Sequence, residues 1–414
     1  PHPIKFGTKE ETIPGKEGEK EEKVTIDNII NNPNPAWTKP PADLKDEDYK
    51  QFYRELYPYQ FEEPLFHIHL NVDYPFNLTG ILYFPKISND LNLQKDRIQL
   101  YQNQVFVTDN VEGIVPEFLG LLKGVIDSPD IPLNVSRSYL QSDASVKKIT
   151  NYITRKVADK LNSIFKNERE NLESKWNDIK VVIEYGMLTE DKFYDKAESF
   201  NLYPTVDDKY FTYEELEKRI KKLQTDKDGN LIILYAQNKD EQYTYIESAK
   251  EKGYEVLLLD SPIIPHLMQK LESKKEKIKF SRVDSDTLEN LINKDEEVIS
   301  KLTDEEKEKL KPMIETAVEN EKYTVQLEAL DSNSMPFMLA QPEFMRRMKE
   351  MQQTGGGAMG NLPDMYSLIV NTNHELVGKI LNTRTEKKRN SLIKQSIDLA
   401  KLSQNNLTGK DLTE

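Results

Sequence analysis

Apolar side chains recur along this chain at two periods, and the change from one to the other marks out its elements. In residues 46–56, Tyr49, Phe52, Tyr53 and Leu56 fall on one face at helical spacing. Asp46 stands where an N-cap is needed, so a helix is expected to open there. Residues 65–72 (LFHIHLNV) alternate instead, with Phe66, Ile68, Leu70 and Val72 on one side and His67 and His69 on the other, the period of a half-buried strand. Residues 78–84 and 98–107 add strands to the same sheet. Residues 104–143 then read as an apolar strand, an amphipathic helix beginning at Pro116, and a polar loop carrying Asn134, Arg137 and Gln141. Between 146 and 165, Ile149, Ile153, Val157, Leu161 and Phe165 recur every four residues, which predicts a long amphipathic helix leaving the sheet.

Further on, residues 230–236 form a strand of buried type, 240–252 a helix ended by Gly253, and 255–260 another strand. Strand, helix and strand at that spacing imply a right-handed crossover and a small parallel sheet. From 293 to 311 the composition turns charged and helical, a boundary before a last domain. There residues 323–330 and 366–371 read as strands, and 341–353, 373–381 and 386–402 as helices. Residues 8–23 carry many charges, two glycines and a proline, with almost no apolar side chains to offset the entropy of ordering, so they read as a linker.

Composition narrows the function classes. A chain of 414 residues suggests several globular units, and 37% apolar against 31% charged residues suits an extended surface better than one compact core. Acidic residues outnumber basic ones by 71 to 57, for a net charge of −14, which repels phosphate backbones and anionic lipid heads. No nucleic-acid or membrane partner is expected. The absence of cysteine excludes disulfides, thiol catalysis and cysteine zinc sites. No apolar run approaches the roughly 20 residues that span a bilayer, and the first residues lack a signal peptide's regions, so a cytoplasmic location is expected.

Several side chains could carry chemistry. Arg137 is planar, always charged and able to fork two hydrogen bonds onto phosphate oxygens, with Gln141 placed to reach the same group; a surface ion pair is the alternative. Seven of the ten methionines lie between 335 and 365. On a helix from Gln341, Phe344, Met345, Met348 and Met351 make one apolar stripe opposite Arg346, Arg347, Lys349 and Glu350. Flexible thioethers there suit varied apolar shapes, or the stripe packs in a core. Prolines at 336 and 342 and glycines at 355–357 leave that helix poorly anchored, and GGGAMG reads as a hinge rather than a dinucleotide loop. Trp37, in NPNPAWTKPP, either contacts a partner or folds back onto its domain. His67 and His69 could hold zinc only with a third ligand, so no metal is expected. In the last helix Leu392, Ile393, Ile397 and Ala400, with Leu399 and Leu402, form a wide apolar band for a partner helix or for the chain's own domain.

Residues 104–143 (QVFVTDNVEGIVPEFLGLLKGVIDSPDIPLNVSRSYLQSD) closely resemble the middle domain of the heat shock protein 90 family of ATP-dependent chaperones, in its bacterial type. Residues 36–56, 81–85, 255–260 and 365–374 (MYSLIVNTNH) are similar to that family too, so the resemblance covers nearly the whole chain. The family's amino-terminal ATP-binding domain has no counterpart here, and Pro1 in place of Met fits a truncated chain. The resemblance implies an α/β and α+β fold: two αβα sandwich subdomains joined by helices form the middle domain, followed by a mixed α+β carboxy-terminal dimerisation domain. It places a domain remnant and charged linker at 1–33, the large subdomain with its helical connector at 34–180, the small subdomain at 181–290 and the last domain at 291–414. It further implies that Arg137 and Gln141 meet the terminal phosphate of ATP, held with Mg2+ in the missing domain, and that Asn134 shapes the loop. Alone, the chain is not expected to bind or hydrolyse ATP. Trp37, Phe344, Met345, Met348 and Met351 are implied to contact partly folded clients. Leu392, Ile393, Ile397 and Ala400, with residues 373–381 as companion helix, are implied to pair two copies through a four-helix bundle. A non-catalytic dimeric scaffold for specific folded partners is the alternative.

Overall fold

A computed structural model describes residues 2–13, 22–86, 98–111, 113–132, 143–293, 298–318, 323–355 and 365–403. These divide into two compact units, Pro1–Ala197 and Glu198–Glu414.

The first unit opens on strands β1 (Lys5–Ile13) and β2 (Glu22–Ile29), paired antiparallel from Lys5 opposite Ile29 to Ile13 opposite Glu22. The linker expected at 8–23 is therefore strand at both ends. Charges are complementary across the β1–β2 pair, Lys5 with Asp27 and Lys23 with Glu10, and Thr8, Val24, Thr25 and Ile26 supply β-branched side chains. Helix α1 (Asp46–Leu56) forms as its spacing predicts, burying Tyr49, Phe52 and Tyr53. The carboxylate that caps it is Asp48, accepting from the Lys45 amide at 2.7 Å, rather than Asp46.

Strands β3 (Phe66–Val72), β4 (Leu78–Phe84), β5 (Gln99–Gln102), β6 (Val105–Thr108) and β7 (Lys123–Asp127) form one sheet in the order β3-β4-β7-β5-β6. All its pairs are antiparallel except β5 with β7. The helix expected from Pro116 is instead a 3-10 turn at Glu117–Leu121 leading into β7. Every residue of β7 is buried, so its strand period cannot show as apolar alternation. Gly124 carries φ +131, and a Cβ there would stand 2.0 Å from the Ile81 carbonyl, so only glycine lets β7 lie against β4. The long helix α2 (Ala144–Asn167) buries Val146, Ile149, Ile153, Val157, Leu161 and Ile164. Helices α3 (Arg169–Ser174), α4 (Trp176–Thr189) and α5 (Asp191–Ala197) complete the unit. A Cβ on Gly186 of α4 would come within 2.8 Å of the Phe118 and Phe193 rings, so this glycine sets how closely α4 packs. α4 runs continuously through residue 180, and the compact units part between Ala197 and Glu198.

The second unit begins with short strands β8 (Tyr203–Pro204) and β9 (Tyr210–Phe211) and helix α6 (Tyr213–Ile220), whose Thr212 and Glu215 form a capping box. Then β10 (Leu231–Ala236), α7 (Tyr243–Glu251), β11 (Val256–Leu258), α8 (Ile264–Lys274) and β12 (Ile278–Arg282) build the expected parallel sheet, in the order β11-β10-β12. The strand β12 was not anticipated, although its KIKF run alternates charged and apolar residues. After α9 (Leu288–Leu291) and α10 (Asp304–Val318), strands β13 (Tyr323–Glu328), β14 (Phe337–Ala340) and β15 (Tyr366–Asn371) pair in the order β13-β15-β14. Helix α11 (Glu343–Gly355) lies between β14 and β15 in the chain, and α12 (Glu375–Asn382) and α13 (Glu386–Ser403) close the unit. Leu310, Ile314, Val325, Phe337, Leu368, Val370, Val377 and Ile380 form its core with α13. The fold is thus mixed, α/β around the parallel sheet and α+β elsewhere, as expected.

Candidate functional site

Asn134, Arg137 and Gln141 lie outside the described residues, but both stems of their loop are defined. On the β7 side Ser128 donates to the Asn77 carbonyl at 2.6 Å, Asp130 accepts from the Asn77 amide at 2.7 Å, and Ile131 is buried. Gln102 donates to the Pro129 carbonyl at 3.1 Å. On the far side Asp143 caps α2, accepting from the Ser145 and Val146 amides at 2.8 and 3.0 Å. Residues 133–142 join these two stems in the chain.

Trp37 requires a correction. Its ring lies between Phe52 and Tyr101, with centroids 5.5 and 5.0 Å away, and its Nε1–H donates to Asp127 Oδ2 at 3.1 Å. At 7% exposure it offers no surface to a client, because the buried carboxylate and the aromatic cluster satisfy both halves of the indole. Exposed aromatics of this unit, among them Phe6, Tyr74 and Phe106, include a closely spaced pair, Tyr59 and Phe61, 90% and 98% accessible, in YPYQFEEP after α1. Phe61 borders an open depression of about 280 Å3 lined also by Tyr53, Tyr57, Pro58 and Pro64 together with Lys50 and Arg54. The sequence held a signal for Tyr59 and Phe61: aromatics bracketed by prolines, with no apolar periodicity to carry them inward.

His67 and His69 are covered by α1. Tyr49 stacks on His67 at 3.7 Å, and its hydroxyl shares a 2.9 Å hydrogen bond with His69 Nδ1. Burial, helped by Lys160, pushes His67 down to about 4, so the ring is neutral. Among the described residues no group of three His, Cys, Asp or Glu side chains is placed to hold a metal ion.

Helix α11 takes an orientation that its amphipathic pattern alone does not reveal. Its charged face is turned inward: Arg346 is 3% exposed, whereas Phe344 is 71% exposed and Met345, Met348 and Met351 are half-buried. Glu343 Oε1 accepts from the Tyr235 hydroxyl at 2.7 Å, Arg346 Nη2 at 2.6 Å and Arg347 Nε at 2.7 Å. Arg346 also donates to Glu350 at 2.5 Å and to the Tyr235 hydroxyl. Arg347 donates to Glu272 of α8 at 2.8 Å and to the Phe280 carbonyl of β12 at 2.7 Å. The Arg282 amide donates to Glu343 Oε2 at 3.2 Å, its guanidinium donates to Gln237 at 3.0 Å, and Gln237 donates in turn to Glu350 at 3.3 Å. Burial alone would raise the Glu343 carboxyl, but Arg346 and Arg347 outweigh it and hold the group at about 2.

The band on α13 also divides differently from expectation. Ile393, Ile397 and Ala400 are 0%, 4% and 3% exposed, inside the core of their own unit with Leu310, Phe337 and Val377. They are not a surface for a second copy. Leu392 packs partly against the same core, while Leu399 and Leu402 are 66% and 47% exposed.

A family model described as "Hsp90 protein" matches residues 5–403. The chaperone protein htpG of Bacteroides fragilis (strain YCH46) is 55% identical over 386 residues, covering 92% of this chain and 56% of that protein. The chaperone protein HtpG of Porphyromonas gingivalis (strain ATCC 33277) is 53% identical over 405 residues, covering 97% of this chain and 58% of that protein. The HtpG of Halalkalibacterium halodurans is 32% identical over 317 residues. This chain spans about half the length of these relatives.

Proposed function

Because the chain belongs to the Hsp90 family, we propose that it is the client-holding part of a bacterial ATP-dependent chaperone that works in the cytoplasm as a homodimer. The observation that carries this reading is the exposure of large aromatics, Tyr59 at 90%, Phe61 at 98% and Phe344 at 71%. Covering such a side chain gains roughly 1.5–3 kcal/mol, and the gain does not depend on the partner's sequence. A partly folded protein, with apolar side chains of its own still in water, can satisfy these contacts. Met345, Met348 and Met351, half-buried beside Phe344, add an adaptable margin. The test is suppression of aggregation of thermally unfolding citrate synthase. The wild-type chain suppresses light scattering, Phe61→Ser with Phe344→Ser loses most of that effect, and equal suppression by both would reject the surface.

ATP is assigned to the amino-terminal domain found in the family, where bound ATP and Mg2+ would supply the phosphoryl group. In this reading Arg137 donates to the terminal phosphate, Gln141 makes a second contact and Asn134 shapes the loop. Support comes from the family likeness of residues 104–143. The dimer contact moves to the outer face of α13, where Leu392, Leu399 and Leu402 form a stripe that a second copy can cover, with α12 beside it. Among the described residues no helix is long and apolar enough to cross a membrane.

A further inference from the structure

We propose that the ion network beneath α11 is a releasable latch, which holds the methionine-bearing helix against the parallel sheet by its charged face and frees the whole helix when it opens. Among the described side chains of α11, residues 343–351, the buried one is an arginine. By contrast α12 and α13 are seated through Val377, Ile380, Ile393, Ile397 and Ala400. A helix anchored by apolar side chains loses their transfer free energy when it leaves. A helix anchored by ion pairs exchanges them for water, and the desolvation penalty of the buried pairs nearly cancels their attraction, so leaving costs little.

The network is also incompletely satisfied. Arg346 Nε is buried without a hydrogen-bond partner among the described residues, a penalty relieved on opening. Closure is cooperative, because Glu343 Oε1 is shared by Tyr235, Arg346 and Arg347, so losing one donor weakens the hold of the others. Opening would carry Met345, Met348 and Met351 from half-buried to fully exposed, enlarging the surface offered to clients. That last step rests on the chaperone reading above; the latch itself does not.

Hydrogen exchange on the full chain tests it. Arg346→Met, which removes the central cation, is expected to speed exchange of the α11 amides by about tenfold or more while β10 and β12 change by less than about twofold. Glu343→Gln should act in the same direction and serves if Arg346→Met does not fold. Unchanged α11 exchange in a folded variant overturns the proposal. So does acceleration of β10 and β12 in step with α11, which would make the network part of the core. In parallel, Arg346→Met should hold citrate synthase at a lower ratio of chain to substrate, and adding Met345→Ser, Met348→Ser and Met351→Ser should cancel that gain. Faster α11 exchange with unchanged holding keeps the latch and rejects α11 as a client surface.

Discussion

Arg137 carries the catalytic side of this account, and its effect can be isolated. With the family's amino-terminal domain joined to this chain, Arg137→Ala should lower ATP turnover by about 10²–10³-fold, the usual cost of removing one donor from a developing charge. Nucleotide affinity should change little, and unchanged steady-state hydrolysis would favour the scaffold. His67 makes a different claim. Its folded pKa of about 4 lies below the ordinary 6.5, so the unfolded chain binds the extra proton first. The stability this group contributes is complete above 6.5 and is lost as pH falls toward 4. His67→Gln should flatten the fall in the denaturation midpoint between pH 7 and 5, and an unaltered slope would show that the ring titrates normally. The alternation of LFHIHLNV disclosed the side on which both histidines stand. It could not disclose that Tyr49, twenty residues away, covers them.

At the scale of elements, spans were easier to read than faces. The limits of α1, α2 and α13 follow from apolar spacing, yet two of the three candidate surfaces pointed elsewhere. A helical pattern says which side chains share a stripe but not whether the stripe or its opposite meets the rest of the protein. In α11 the charged face does, because Tyr235, Glu272 and Arg282 wait for it on neighbouring elements. In α13 the band was wide enough for two faces, and the inner one is core. Ile393→Glu or Ile397→Glu should therefore unfold the carboxy-terminal part, since each buries a charge without a partner. Leu399→Glu with Leu402→Glu should leave circular dichroism unchanged and halve the mass in sedimentation. A folded monomer from the isoleucine variants, or a persisting dimer from the leucine pair, would reverse this assignment. β7 escaped sequence reading for a related reason: a strand buried on both faces carries no alternation, and its Gly124 looks like a break.

For the whole molecule, the family and the mixed fold were legible because local patterns agreed with one another: strand, helix and strand built the parallel sheet, and long motifs matched over most of the chain. The β1–β2 hairpin was not, since its described side chains are largely exposed and leave no apolar pattern to read. What the chain does with its exposed aromatics is the claim on which the rest depends. The most direct measurement is the affinity of the chain alone for a permanently unfolded protein, reduced carboxymethylated α-lactalbumin, by fluorescence anisotropy. Saturable binding, weakened by about tenfold or more in Phe61→Ser with Phe344→Ser, is the expected result; no binding, or equal affinity in the variant, would contradict it.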